Sequence, residues 1–257
     1  MKNKKIFIAV IIAILLALVV ATVIIIAIKT NKQKNIDNSI DLEELENNFN
    51  SIFVNKMDPE DNADVMYLAY NINKEETSKY KISAQIPNIV INTSTTDIIN
   101  KDIFNTFVKT IVEIMRQANK YTIYTIDYVS YLNNDILSIA IRCKVKEGAN
   151  PQRTIIKTYN YDMKNDKLLS LQDIIDLKNL DKKEVQANIL NKVEKEIKNS
   201  QNIENTGYNV YKRNLEDNMY KVENTSEYFL GTQNVLYILY PYGNSNYTSE
   251  MDLIICK

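Results

Sequence analysis

Residues 158–175, TYNYDMKNDKLLSLQDII, decide how this chain is built. The stretch opens with tyrosines at every second position, the period-two pattern of a half-buried strand. Residues 164–167 then read as a turn, because Asn165 and Asp166 tolerate the backbone angles of a tight reversal. After the turn, Leu168, Leu169, Ser170 and Leu171 lead into a short helix with Asp173, Ile174 and Ile175. Strands lie before this stretch and helical sequence after it, so it is the hinge of the fold.

Upstream of the hinge, residues 65–72 and 80–91 are β-rich, the second interrupted by Pro87, which suits an edge or a bulge. Between about 97 and 118, Ile99, Ile103, Phe107 and Ile111, with Phe104, Val108 and Met115, form a broad apolar stripe for a helix lying across a sheet. Residues 121–132 and 136–146 are joined by Asn133, Asn134 and Asp135 as a hairpin. In the second of these strands Leu137, Ile139, Ile141, Cys143 and Val145 face one way, and Ser138, Ala140, Arg142, Lys144 and Lys146 the other. The expectation is one core face and one wet face. A third strand at 154–163 completes a meander.

Downstream, Asp181 and Glu184 cap a helix over 181–198 whose buried stripe is Val185, Ile189, Val193 and Ile197 with Leu190. Residues 208–222 follow no clear period, and 228–242 with 251–255 read as closing strands. The fold class is therefore α+β, antiparallel meander sheets with packed helices, divided into subdomains at 65–163 and 164–257.

The N-terminal region gives location. Lys2, Lys4 and Lys5 precede an apolar run over 6–28 in which Thr22 is the only polar side chain. Its 23 residues would make a helix about 34 Å long, enough to cross a hydrocarbon core of roughly 30 Å. The run is too long for a cleaved signal and lacks a small-x-small site at its end, so it reads as a retained anchor. Signal-anchor logic puts the N-terminus inside and the rest outside: a single-pass protein of the cell membrane. A spacer at 30–39 leads to an amphipathic helix carrying Leu42, Leu45, Phe49, Ile52 and Phe53 on one face. Its bland reading is packing on its own domain, and its functional reading is a partner contact.

Chemistry is limited by composition. Histidine is absent, which excludes Ser-His-Asp, Cys-His and His-zinc sites. No cofactor is expected. The pairs Glu216-Asp217 and Glu75-Glu76 read as solvated loop charges, so no enzyme activity is expected. Cys143 and Cys256 are either buried small hydrophobes or a disulfide formed outside the cytoplasm. Of 31 basic residues, 28 remain once the leading lysines are set aside, against 32 acidic ones, or about −4. Nucleic acid is not the partner of such a balance.

Two stretches resemble a known family. Tyr159-x-Tyr161-Asp162, the turn, Leu169-x-Leu171 and Asp173-Ile174-Ile175 resemble the start of the extracytoplasmic domain of RsiV-type anti-sigma factors, also found ahead of the catalytic part of PdaC-type peptidoglycan deacetylases. Phe229-Leu230, then 235–240, Pro241-Tyr242 and the final strand resemble that domain's end. The β-β-α-β-β-β order before the hinge looks like the companion domain, so the resemblance is to the domain-of-unknown-function pair 4163 and 3298. It implies an envelope binding or sensing module, with a lysozyme-like protein or peptidoglycan as partner. Departures bear on this: Gly243-Asn244-Ser245-Asn246 replaces the family's acidic-apolar continuation, five residues before the span leave no sigma-binding domain to be expected, and the lack of zinc-binding histidines and of the catalytic part leaves no deacetylase to be expected. Tyr240, Pro241, Tyr242 and Tyr247 are the candidate ligand-binding residues. Tyrosines 121, 124, 128, 131, 159, 161 and 237, with Tyr240 and Tyr242, are either a sugar-stacking surface or strand formers. The alternative to a binding module is a non-catalytic scaffold assembling through its anchor and the helix that follows it.

Overall fold

A computed structural model describes residues 64–207 and 210–257. The anchor at 6–28 and the amphipathic helix at 42–53 lie outside the described residues. Among those described, no helix is long and apolar enough to cross a membrane.

β-Branched and aromatic residues at alternate positions produce six strands of one sheet in sequence order: β1 (Met66–Glu76), β2 (Tyr80–Ile89), β3 (Thr122–Asn133), β4 (Ile136–Glu147), β5 (Arg153–Asp162) and the two-residue β6 (Lys167–Leu168). The β1–β2 register slips between Leu68 and Tyr70, opposite Pro87 and Ile86. A bulge at this place accommodates the proline. The sheet is not an all-antiparallel meander, because β2 and β3 run parallel. The reason is the connection: α1 (Ser94–Ile103), a π-helical stretch (Phe104–Val108) and α2 (Lys109–Gln117) carry the chain back across the sheet. Parallel neighbours require a crossover of this kind, whereas a tight turn yields antiparallel ones.

Helix α1 begins earlier than its apolar stripe suggests. Thr93 and Thr96 cap it reciprocally: Thr96 N–H donates to Thr93 Oγ1 at 3.2 Å and Thr93 N–H to Thr96 Oγ1 at 3.0 Å. The stripe residues Ile99, Ile103, Phe107 and Ile111 then pack on Ile82, Ile86, Ile126, Leu137, Ile139 and Ile141 as the first core.

The opposite face of β4 is covered and not wet as expected. Ser138 and Ala140 are fully buried and Arg142 is 3% exposed. Covering it is a second, antiparallel sheet of β7 (Glu227–Leu230), β8 (Leu236–Pro241) and β9 (Met251–Cys256). The seam is polar. Ser138 Oγ accepts from Leu230 N–H at 3.3 Å, and Asn160 Nδ2 donates to the Tyr228 carbonyl at 2.8 Å. Glu227 accepts from Thr158 N–H at 2.8 Å. Polar side chains on β4 and β5 thus serve β7 in place of water, which is how a buried polar group escapes its desolvation cost. Arg142, also on this face, makes a bidentate pair with Asp127, at 3.0 and 2.6 Å.

The hinge has the predicted form. Asp166 takes a left-handed φ of 47°, and β6 folds back so that Tyr161 pairs with Leu168. Ser170 and Asp173 cap α3 (Leu171–Leu177) reciprocally. Tyr159, Tyr161 and Leu171 are buried. The longer helix α4 (Lys182–Glu204) is capped by Asp181, whose carboxylate accepts from Lys183 N–H at 2.8 Å. It lays Val185, Ile189 and Val193 against Leu236, Ile238 and Ile254 in the second core.

Candidate functional site

The four candidate residues do not form one surface. Tyr240 and Tyr242 point into the second core and are buried, Pro241 is half-buried, and Tyr247 is exposed. Tyr240 shares a 2.8 Å hydrogen bond with Thr225. Tyr242 donates to Asp252 Oδ2 at 2.6 Å and contacts the Tyr220 hydroxyl at 2.8 Å, while its ring stacks on Tyr211 at 3.9 Å. Asp252 is also held bidentately by Arg213, through Nε and Nη2 at 2.8 Å each. Burial works against the guanidinium charge, but the hydrogen bonds and charge of Asp252 outweigh it and keep Arg213 above its ordinary range. This clasp ties the segment before β7 to the β8–β9 hairpin. Its polar atoms are occupied by one another.

Other tyrosines of the stacking set are structural in the same sense. Tyr124, Tyr128, Tyr159, Tyr161 and Tyr237 are buried, and Phe229 lies stacked between Tyr131 and Tyr237, at 5.8 and 5.1 Å. The cysteines are not bridged. Cys143 sits in the first core and Cys256 in the second, each a buried free thiol. Burial pushes the Cys143 thiol up to about 12 and Cys256 to about 11, so both are protonated at neutral pH.

Tyr247 is different because of where its loop sits. α5 (Gly243–Asn246) and the residues after it rest on the start of β5: Thr154 N–H donates to the Thr248 carbonyl at 3.2 Å, and Ser249 Oγ to the Gln152 carbonyl at 3.1 Å. A Cβ at Gly243 would lie 2.2 Å from the Thr154 carbonyl oxygen, so only glycine allows this approach. Tyr247, with a left-handed φ of 46°, is thereby laid over Arg153, whose guanidinium carbon is 4.9 Å from the ring centroid. Arg153 also contacts Glu147 at 3.3 Å.

That arginine lies on the wall of a pocket of about 310 Å³ between the crossover helix and the ends of β3, β4 and β5. Phe107, Ile114, Val145 and Ile155 form apolar walls, with the Tyr124 hydroxyl and Cys143 thiol among them. Glu113, Gln117, Asn119, Glu147 and Arg153 supply the polar groups. The π-helical stretch contributes Thr106 and Phe107, and such widened turns recur at functional sites. Burial raises the Tyr124 hydroxyl above its ordinary range. With tyrosine and thiol both protonated, the arrangement offers shape, apolar contact and charge to a small ligand. The volume is at the low end for ligand pockets.

Sequence patterns point to none of this pocket. Glu113 and Glu147 look like surface charges in isolation, and Arg153 looks like the polar start of a strand. Among the described residues no group of three or more His, Cys, Asp or Glu is placed to hold a metal ion.

No family model matches the chain, and no curated protein matches it. The structure is similar to crystal structures of proteins of the DUF3298 family. One, from Pseudomonas aeruginosa, has a TM-score of 0.41 and 12% identity, with 74% of this chain and 85% of that chain covered. Another, from Bacteroides fragilis, has a TM-score of 0.39 and 13% identity, with 69% and 80% covered.

Proposed function

We propose that this chain is a membrane-anchored, extracytoplasmic binding or sensing module of the cell envelope. The apolar run at 6–28 supports the anchor and the orientation, and the resemblance of the hinge and closing strands to the RsiV and PdaC domain pair supports the setting. The observation that carries binding is the 310 Å³ pocket, open to solvent, which combines an apolar interior with a rim of Glu113, Glu147 and Arg153. Its partners are a lysozyme-like protein or peptidoglycan. A mildly acidic ectodomain favours a basic protein at low salt, although a charge near −4 steers only modestly.

The test uses the full chain in lipid nanodiscs, titrated with lysozyme and, separately, incubated with purified cell walls. Saturable binding to either is expected, weakened by the pocket-filling Ile155→Trp. No binding to either at high micromolar concentration would sink the reading.

A second reading is a non-catalytic scaffold that assembles through the apolar run at 6–28 and the amphipathic stretch at 42–53, with Leu42, Leu45, Phe49, Ile52 and Phe53 as its contact residues. Crosslinking the full chain against a version lacking residues 1–56 separates the two. Assembly that disappears with the truncation, without any ligand, favours the scaffold.

A further inference from the structure

The pocket's rim is acidic on balance. Its lining carries two carboxylates, Glu113 and Glu147, and one guanidinium, that of Arg153. Arg153 is already engaged on two sides, by Glu147 at 3.3 Å and by the Tyr247 ring at 4.9 Å. Glu113 has no ion-pair partner among the described residues. An anionic ligand would therefore have to displace Glu147 from Arg153 and lie in the field of the remaining carboxylate. A cationic one meets Glu113 directly.

The interior restricts the rest of the ligand. Its walls are Phe107, Ile114, Val145 and Ile155, and its floor groups, Tyr124 and Cys143, are neutral at physiological pH. A charge cannot be carried to the bottom of such a pocket without losing its hydration. An unbranched stem of methylenes can enter, provided that its charged head stays at the polar rim, which is how lysine side chains distribute themselves between apolar and aqueous surroundings. Resting on the reading of this pocket as the ligand site, we infer that it takes a primary ammonium on a short apolar stem, whether a lysine side chain presented by a protein or peptide or a free alkylamine. The head lies at Glu113, and the stem lies against Ile114, Val145 and Ile155.

The experiment follows methyl NMR signals of Ile114, Val145 and Ile155 in the full chain in nanodiscs at low salt. Four probes are titrated: n-pentylammonium, a blocked lysine peptide, pentan-1-ol and pentanoate. Pentylammonium should shift these methyls and bind about fivefold more tightly than the alcohol or the acid, a preference of the size expected for one half-exposed ion pair. Glu113→Gln, a surface change, should remove the preference while the alcohol still binds. If the lysine peptide binds as well as the free amine, a presented side chain is the ligand; if only the free amine binds, it is the small molecule. Equal binding of amine, alcohol and acid, tighter binding of pentanoate, or a preference that survives Glu113→Gln would overturn the ammonium assignment and leave the pocket standing. No methyl shift with any probe would overturn both the assignment and the pocket as the ligand site.

Discussion

Arg213 and Arg153 have the same kinds of neighbour and opposite roles. Each meets a carboxylate, and each lies over a tyrosine ring, 4.8 Å from Tyr242 and 4.9 Å from Tyr247 respectively. Arg213 is 4% exposed and makes two 2.8 Å bonds to an aspartate that is 1% exposed. Arg153 is 22% exposed and makes one 3.3 Å contact to a glutamate that is 39% exposed. The identity of the residues therefore says little; depth and geometry decide whether the group is a clasp or part of a rim. Removing one partner of a buried pair leaves an uncompensated charge, so Arg213→Ala should cost about 3–5 kcal/mol in urea unfolding. Replacing both partners together, Arg213→Met with Asp252→Leu, should cost far less, because no charge is then stranded. A small loss for Arg213→Ala alone would break the distinction between the two arginines.

Glu227 sharpens it from another side, as a buried carboxyl given no arginine. It is 7% exposed, and burial raises it to about 7, with the charge of Lys157 and the hydrogen bonds from Thr158 holding it from going higher. Its folded value lies above its ordinary 4.5, so its contribution to stability is complete below that value and is lost as pH rises through about 7. The loss amounts to about 3 kcal/mol between pH 5 and pH 8.5. Asp173, lowered to about 2 by Lys167 and Ser170, stays ionised over that range and does not interfere. Chemical denaturation of Glu227→Gln should show a flat profile where the parent chain falls, and a parent chain that does not weaken toward pH 8.5 would contradict the account of the seam.

Gly243 tests what positions Tyr247 over Arg153. The 2.2 Å approach predicted for a Cβ is to backbone, which cannot swing aside like a side chain. Gly243→Ala should destabilise by about 1–3 kcal/mol, the range for an added methyl in a filled space. It should also lift the 243–249 segment from β5, which a Tyr247 ring-proton shift would report. Unchanged stability together with an unchanged ring environment would show that the contact is loose.

Much of the fold is legible in the residues because alternation and helical stripes are local. The capped helices, the hairpin at Asn133–Asp135 and the hinge at Asp166 all follow from neighbours a few positions apart. What covers the second face of β4 is not local. Ser138, Ala140 and Arg142 suit water or a polar seam equally well, and β7, which covers them, lies some ninety positions downstream. The parallel β2–β3 pair was implicit in the long helical connection between them, although strand order itself has no sequence mark. Tyr240 and Tyr242 resemble binding tyrosines until Asp252 and Arg213 are seen beneath them. Arg213 belongs to a stretch without period, and Asp252 is a single acid inside an apolar strand. Such an acid signals that a cation or a set of hydrogen-bond donors is buried nearby, without saying which.

The smallest expected effect is the most informative about the pocket. Arg153→Ala should change stability by less than about 1 kcal/mol, since a half-exposed pair gains little over its hydrated partners and is screened by salt. Glu147 would then face the pocket without its counter-charge, and the rim would carry two uncompensated carboxylates in place of one. Affinity for a short alkylammonium should therefore rise about twofold to fivefold at low salt, and the gain should vanish at high ionic strength. Fluorescence-monitored unfolding in urea and the methyl titration read the two halves of the prediction independently. A variant as unstable as Arg213→Ala would make Arg153 a second clasp, and one that binds the amine less tightly would place the ligand's head at Arg153 and not at the carboxylates.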